Sequence, residues 1–228
     1  MTGLNNSVDA LFLAEVLATR MCHDLAGQVN ALVGAVEVMR DEPAPDPEAI
    51  SLASDASDSL VRHLRLARVA WGRGGMAMGV EEWRGLVDFM PRRGVRIDLS
   101  GLPQAGSFAP AAARLSLNVL LMASECLPGG GVIEVAGQPD HDLLVRIRGP
   151  RAAWPAGLSG MLADPALAVC SLREADAMSA ARALQAPLTA LIAHATGQRI
   201  SLLFGPRDEE APPLLVGLAP SSEAEATP

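Results

Sequence analysis

Residues 17–39 read LATRMCHDLAGQVNALVGAVEVM, and this stretch decides the fold of the first part of the chain. At about 100° per residue its apolar side chains form one stripe along a helix, and His23 lies on the opposite side. The full stripe consists of Leu11, Ala14, Ala18, Met21, Leu25, Val29, Leu32, Val36 and Met39. Packing does not explain an exposed histidine that is followed by Asp24 in mid-helix. This pair is therefore the first candidate for chemistry.

A helical hairpin is predicted for residues 1–73. The first helix continues to about Arg40, where DEPAPDP stops it, and a second amphipathic helix begins at Pro47. Two long helices joined by a short proline-rich turn form an antiparallel pair. One pair leaves part of each apolar stripe in water, so we expect two hairpins to form a four-helix bundle in a homodimer.

The pattern changes after a glycine-rich link at residues 72–79. Helices are predicted over 82–90, 110–127 and 175–196, and strands over 95–99, 131–137, 142–149 and 199–204. This order indicates an α+β protein whose second unit, residues 80–207, is a small sheet covered by helices. Residues 208–228 are rich in Pro, Ala, Ser and Glu, and we expect this tail to be disordered.

Composition excludes several classes of function. The 228 residues carry a net charge of −8 without a Lys/Arg cluster, which argues against binding to nucleic acid or to an anionic membrane. Glu15 interrupts the apolar run near the N-terminus, so neither a signal peptide nor a membrane span is expected. Three widely separated cysteines are predicted to be buried thiols of a cytoplasmic protein.

Four segments carry a resemblance to a known family: MCHDL, LARVAWG, LNVLLMASECLPGGG and LQAPLTALIAHATGQRISL. In this order they resemble the ChpT-type histidine phosphotransferases of alphaproteobacteria, which are related in architecture to sensor histidine kinases. The resemblance covers about residues 10–205. It implies a phosphoacceptor hairpin followed by a degenerate histidine-kinase-like ATPase domain, an α/β sandwich.

The kinase motifs for nucleotide are altered in this chain. Kinases carry NLLxNAxK, in which the second Asn coordinates magnesium; here the segment keeps Asn118, but Met122 replaces that Asn and Glu125 the Lys. A thioether is a poor ligand for a hard cation. Ile147 stands for the adenine-binding Asp, Arg151 for a glycine of the same motif, and the glycine-rich lid is absent. The resemblance therefore implies a fold that neither binds nor hydrolyses ATP.

The same resemblance assigns roles around the histidine. It implies that His23 accepts the phosphoryl group, that Asp24 orients the ring and that Arg20 neutralises the phosphoryl oxygens. The partners would be the receiver domain of a hybrid histidine kinase and response regulators. The receiver would bring its own Mg²⁺, so no metal or cofactor is expected on this chain. The expected docking residues are Thr19, Gly27, Asn30, Gly34 and Arg68.

One departure concerns the histidine motif itself. Family members commonly read HDLISP, whereas this chain reads HDLAGQV, which removes a proline-induced helix bend and leaves the docking angle of a partner open.

Three hypotheses remain open at this point. The first is a histidine phosphotransferase that relays phosphate between receivers. The second is a diverged ATP-dependent sensor histidine kinase, and the third is a scaffold that binds receivers without chemistry.

Overall fold

Two long helices form the hairpin. The computed structural model describes residues 3–41, 47–90, 94–173, 177–204 and 211–218. Helix α1 (Gly3–Asp41) packs along α2 (Pro47–Trp71). Gln28 of α1 accepts a hydrogen bond from Ser59 of α2, and Asp24, one turn earlier, lies near His63, so the two helices are antiparallel. Most of the proline-rich turn falls outside the described residues.

The part of the chain after α2 combines helices with strands, as the α+β prediction requires. In chain order the elements are β1 (Met78–Gly79), α3 (Val80–Val87), β2 (Val95–Gly101), β3 (Ser107–Phe108), α4 (Pro110–Glu125), β4 (Gly131–Gly137), β5 (Asp142–Arg148), α5 (Leu158–Ala163), α6 (Pro165–Arg173), α7 (Ala177–Ala183), α8 (Gln185–Thr196), β6 (Arg199–Leu202) and β7 (Leu214–Gly217).

A five-stranded mixed sheet organises this α/β body, a name used below for residues 78–218. The strand order is β2-β4-β5-β7-β6, in which β2 and β4 are parallel and the other neighbours are antiparallel. Alternate residues of β4 and β5, such as Ile133 and Ile147, are buried, while their neighbours are less buried. This alternation is typical of a sheet with one face against helices.

Helix α4 forms the centre of the core. Leu115, Leu117 and Leu120 are fully buried, and Trp83 of α3 stacks on Phe108 with ring centroids 4.9 Å apart. The indole N–H of Trp83 donates to the Ser116 hydroxyl at 2.9 Å, so this buried polar group is satisfied. The core therefore fixes α4, which reaches the phosphoacceptor candidate at its C-terminal end.

The single helix predicted over residues 175–196 is wrong. Helices α7 and α8 are separate and meet at Leu184. Pro187 explains the break, because a proline in a helix interior lacks the N–H for the ladder and clashes with the preceding turn. Within the first turn of α8 the same proline is tolerated.

The prediction of a disordered tail from residue 208 is also wrong in part. Residues 214–217 form β7, which lies between β5 and β6 and bonds to both. Leu214 and Val216 are fully buried under the helices. The segment is too short for its apolar alternation to outweigh the polar composition around it, and residues 219–228 lie outside the described part of the chain.

The position of β7 predicts a large effect of one substitution. Leu214→Ala is expected to lower the free energy of unfolding by about 2–5 kcal/mol, because it leaves a cavity in the core. Urea denaturation followed by circular dichroism measures the change. Leu203→Ala is the control, since Leu203 is exposed and lies just beyond β6. Equal stability of the two variants would contradict the placement of β7.

Candidate functional site

His23 lies on an exposed face of α1, near the middle of the helix. Its side chain is 65% exposed, and its Nδ1 lies 3.2 Å from Asp24 Oδ1. The neutral ring that donates its Nδ1 proton to this carboxylate keeps a lone pair on Nε2. The structure thus places the predicted pair in hydrogen-bonding contact, with one ring nitrogen directed away from Asp24.

Arg20 links the pair to the α/β body. Its Nε donates to Asp24 Oδ2 at 2.7 Å, its Nη2 to Glu125 Oε1 at 3.0 Å and its Nη1 to the carbonyl of Ala181 at 3.3 Å. All three guanidinium nitrogens therefore bond to protein groups. Arg20 thus binds Asp24 and bridges α1, α4 and α7, and its predicted role in neutralising phosphoryl oxygens stays a prediction.

A second apolar face of α1 holds the α/β body beside His23. Val16 is buried against Leu172, Ala180 and Leu184, with Phe12 packed around them. Val16 and Phe12 precede His23 by seven and eleven residues, so they lie on its side of the helix. This face is not apparent from the sequence, because the longer apolar stripe lies on the opposite side of α1. This contact involves residues that precede His23 in α1, and the histidine itself stays accessible.

A cavity of about 340 Å³ opens beside His23. It is lined by Thr19, Arg20, His23, Asp24, Glu125, Ala181 and Arg182. Glu125 and Arg182 were not predicted as site residues. Nothing local marks them, because Glu125 lies 105 residues from Arg20 in the chain and only the packing of α4 and α7 on α1 brings them together.

Four of the expected docking residues share the face of His23. Thr19, Gly27 and Asn30 are exposed, and Gly34 is half-buried. A Cβ atom at Gly27 or Gly34 would meet no atom within 4 Å, so both glycines leave open surface on the face of α1 that carries the histidine. Whether a partner binds there remains a prediction.

The structure does not bring Arg68 to His23. Arg68 instead lines a separate cavity of about 520 Å³ between the end of α2 and the start of α4. Arg65, which also lines that cavity, forms an ion pair with Glu82 at 2.6 Å. Helical rotation explains the correction, because residues at the level of His23 on α2 include His63 and Ala67, and Arg68 is about 100° further round.

Three of the positions that the kinase resemblance assigns to nucleotide contacts are buried in the protein interior. Met122 and Ile147 are buried. The Asn118 amide donates to the carbonyl of Ala70 at 2.6 Å and its oxygen accepts from Gln185 at 2.8 Å. The polar groups of α4 thus join α2 and α8 in the interior.

Two other histidines lie on the α/β body. His141 is exposed beside Asp142 on the β4–β5 turn, and His194 of α8 contacts the carbonyl of Met161. Within the described ranges no three His, Cys, Asp or Glu side chains are grouped so that they could hold a metal ion.

The prediction that all three cysteines are buried is wrong. Cys22 and Cys170 are exposed, whereas Cys126 is buried. Burial, with the charge of Glu125 beside it, raises the pKa of Cys126 to about 12. Cys22 is exposed because it adjoins His23 on the accessible side of α1.

Comparison with known proteins places the chain in a family. Residues 80–207 match the family model described as the C-terminal domain of histidine phosphotransferases, and this range is more than half of the 228 residues. The chain belongs to the histidine phosphotransferase family. This result confirms the sequence-based assignment to histidine phosphotransfer in a phosphorelay.

One curated protein and one solved structure are similar to the chain. The histidine phosphotransferase is 26% identical over 149 residues to the protein phosphotransferase ChpT of Brucella abortus (strain 2308), a match that covers 63% of this chain and 70% of that protein. Its fold is similar to a solved structure of a bacterial phosphotransferase, with a TM-score of 0.60 and 19% identity over 91% of this chain and 96% of the other. No described helix of the phosphotransferase is long and apolar enough to span a membrane.

The partly buried carboxyl of Glu125 predicts a pH dependence of stability. Burial raises the pKa of its carboxyl, while the ion pair with Arg20 partly opposes this effect. The folded chain therefore holds this proton at a pH where the unfolded chain has lost it, and stability falls as pH rises through the folded pKa. Glu125→Gln removes this titration. We expect the stability of the wild type relative to the variant to decrease between pH 4 and pH 7.

Urea denaturation at both pH values measures this difference. Glu134→Gln is the matched control, because Glu134 has the same 38% side-chain exposure and an ion pair with Arg148. If the stability of the wild type relative to Glu125→Gln increased between pH 4 and pH 7, this result would contradict the raised pKa.

Proposed function

We propose that His23 is the phosphoacceptor of this histidine phosphotransferase and that it relays phosphoryl groups between the aspartates of receiver domains. The observation that carries the proposal is the exposed ring whose Nδ1 contacts Asp24 and whose Nε2 is directed away from it. His23 lies outside the residues matched to the family model, so this assignment rests on geometry and on the resemblance of the MCHDL segment.

The transfer step follows from the state of the ring. The lone pair on Nε2 attacks the phosphorus of an aspartyl phosphate, and the P–N bond forms as the P–O bond breaks. The bonding pair leaves with the receiver's carboxylate. Nδ1 keeps its proton, so the phosphorylated ring carries a positive charge that the Asp24 carboxylate stabilises. Attack by the aspartate of a second receiver reverses the step.

The cavity beside His23 supports charge neutralisation from a residue that the sequence did not suggest. Arg182 is exposed on α7 and lines the cavity, and within the described residues it forms no ion pair. A guanidinium in this place can bind the oxygens of a phosphoryl group while Arg20 holds Asp24. We propose that the receiver brings the Mg²⁺ for the step, and that this chain contributes no metal or cofactor.

We propose receiver domains as the class of partner. A hybrid histidine kinase receiver would deliver the phosphate, and response-regulator receivers would accept it. The exposed surface formed by Thr19, Gly27 and Asn30 is the part of α1 on which such a domain would dock. The small side chains allow a close approach of a partner helix.

The kinase hypothesis is less well supported. A degenerate ATPase body that binds no nucleotide agrees with the burial of Met122 and Ile147 and with the internal hydrogen bonds of Asn118. A magnesium-nucleotide complex would have to displace these contacts.

Apolar side chains on the hairpin support the homodimer. Ten large apolar residues of α1 and α2 are 43–62% exposed: Val8, Leu11, Val29, Val33, Val36, Val38, Ile50, Leu52, Val61 and Leu64. Leu11, Val29 and Val36 belong to the predicted stripe. Exposed apolar surface of this extent is typical of an interface, and pairing of two hairpins in a four-helix bundle would cover it.

Phosphoryl transfer from a receiver tests the role of His23. Wild-type protein mixed with an aspartate-phosphorylated receiver domain of a hybrid kinase should acquire an acid-labile label, and His23→Ala should acquire none. His141→Ala is the control, because His141 is also exposed and is followed by an aspartate, but lies on the β4–β5 turn. Label on the His23→Ala variant would refute the assignment.

Two further experiments distinguish the alternative functions. Incubation with Mg²⁺ and γ-labelled ATP alone should leave the protein unlabelled, and labelling there would favour the kinase. Receiver binding that is unaffected by His23→Ala, without label on the wild type, would favour the scaffold.

Light scattering after size-exclusion chromatography tests the dimer. The wild type should have twice the mass of one chain, and Val36→Glu should reduce the mass to one chain, because it places a charge in the apolar contact. Leu167→Glu on α6 is the control, at 49% exposure but outside the hairpin. A single-chain mass for the wild type would disprove the proposed bundle.

A further inference from the structure

We propose that Glu125 of the α/β body is a positioning residue for His23, acting through Arg20 and Asp24. This inference rests on the proposed function of His23 as phosphoacceptor. It extends that function to a residue on α4 that makes no contact with the histidine.

Four side chains form a continuous line of hydrogen bonds. Glu125 Oε1 accepts from Arg20 Nη2 at 3.0 Å, Asp24 Oδ2 accepts from Arg20 Nε at 2.7 Å, and Asp24 Oδ1 lies 3.2 Å from His23 Nδ1. Donors and acceptors alternate along the whole line. The rotation of the imidazole is thereby coupled to a carboxylate on another element.

The guanidinium transmits position because it is rigid. Its N–H groups point in fixed directions in one plane, so three bonds to three different groups define its orientation. Here the groups belong to α1, α4 and α7. Without Glu125, Arg20 would still donate hydrogen bonds to Asp24 and to the Ala181 carbonyl, but the guanidinium plane could rotate about these two contacts.

The scaffold on which Glu125 sits is well fixed. It is the last residue of α4, whose preceding turns are in the centre of the core. Val16 holds α1 against α6 and α7, and Arg173 of α6 adds an ion pair to Asp9. Glu125 and Arg20 therefore meet at a contact that apolar packing already determines.

Stability is not the reason for this carboxylate. Taking a charge out of water offsets most of the attraction in a partly buried ion pair, and apolar residues often replace such pairs without loss. Consistent with this, burial raises the pKa of Glu125 in spite of Arg20 beside it. The ion pair instead fixes the orientation of the Arg20 guanidinium.

The consequence for His23 is a preferred tautomer. When Asp24 is held with Oδ1 towards the ring, the proton stays on Nδ1 and the lone pair on Nε2, as nucleophilic attack requires. A mobile Asp24 would let both tautomers form, which lowers the fraction of reactive rings.

Two measurements on the full chain test the proposal. ¹⁵N chemical shifts of the His23 ring give the tautomer in the free protein, and phosphoramidate, a small phosphodonor, gives the rate of His23 phosphorylation without any receiver. Glu125→Ala is expected to shift His23 towards a mixture of tautomers and to lower the rate about tenfold, roughly the effect of losing a hydrogen bond to a charged group. Glu125→Gln, which can still accept from Arg20, should lose about threefold.

Matched variants separate positioning from general damage. Glu134→Ala removes an equally exposed, ion-paired glutamate on β4 and should change neither readout. Arg20→Gln should reproduce the tautomer shift, and adding Glu125→Ala to it should cause no further loss, since both act through one line of bonds.

The outcomes that overturn the proposal are distinct from failure of the proposed function. An unchanged tautomer and rate in Glu125→Ala, an equal loss in Glu134→Ala, or additive losses in the double variant would each overturn it. If wild-type His23 accepts no phosphate, the proposed function fails, and the ¹⁵N shifts then decide the positioning role by themselves.

Discussion

The contact of Arg20 with both Asp24 and Glu125 is the interaction on which the geometry of the site depends. One planar group joins the hairpin to the α/β body and to α7, and it sets the direction of the carboxylate that faces His23. Apolar packing at Val16 brings the elements together, but it does not specify orientation. Directional hydrogen bonds supply the orientation that packing lacks, so the orientation of the His23 ring depends on a small polar cluster.

The polar side chains of α4 bond to neighbouring elements of the protein. Asn118 bonds to the end of α2 and to Gln185 of α8, and Glu125 bonds to α1. Asn118 and Glu125 therefore bond to the hairpin or to the interior of the α/β body. Internal contacts of this kind are compatible with histidine phosphotransfer, because phosphoryl transfer needs positioning and charge neutralisation more than covalent chemistry.

Local patterns predicted most of the elements. The strands β4 and β5 and the helices α1, α2 and α4 match their predicted ranges within a few residues, because each contains a clear period of two or of 3.6. Errors arose where a local signal was weak or was outweighed by its surroundings. Pro187 divides a helix that periodicity alone would continue, and the short segment of β7 is stabilised by strands on both sides.

For the site, the sequence by itself determined that His23 lies on a helix, beside Asp24 and opposite the longer apolar stripe. Helical spacing and chain order fix these facts. The tertiary structure decided the rest: Arg20 became a bridge, Arg68 lies at another cavity, and Glu125 and Arg182 entered the site. The physical reason is the sequence separation between the residues in contact. A helix repeats every 3.6 residues, whereas the partner of Arg20 is 105 residues away and reaches it through packing of the core.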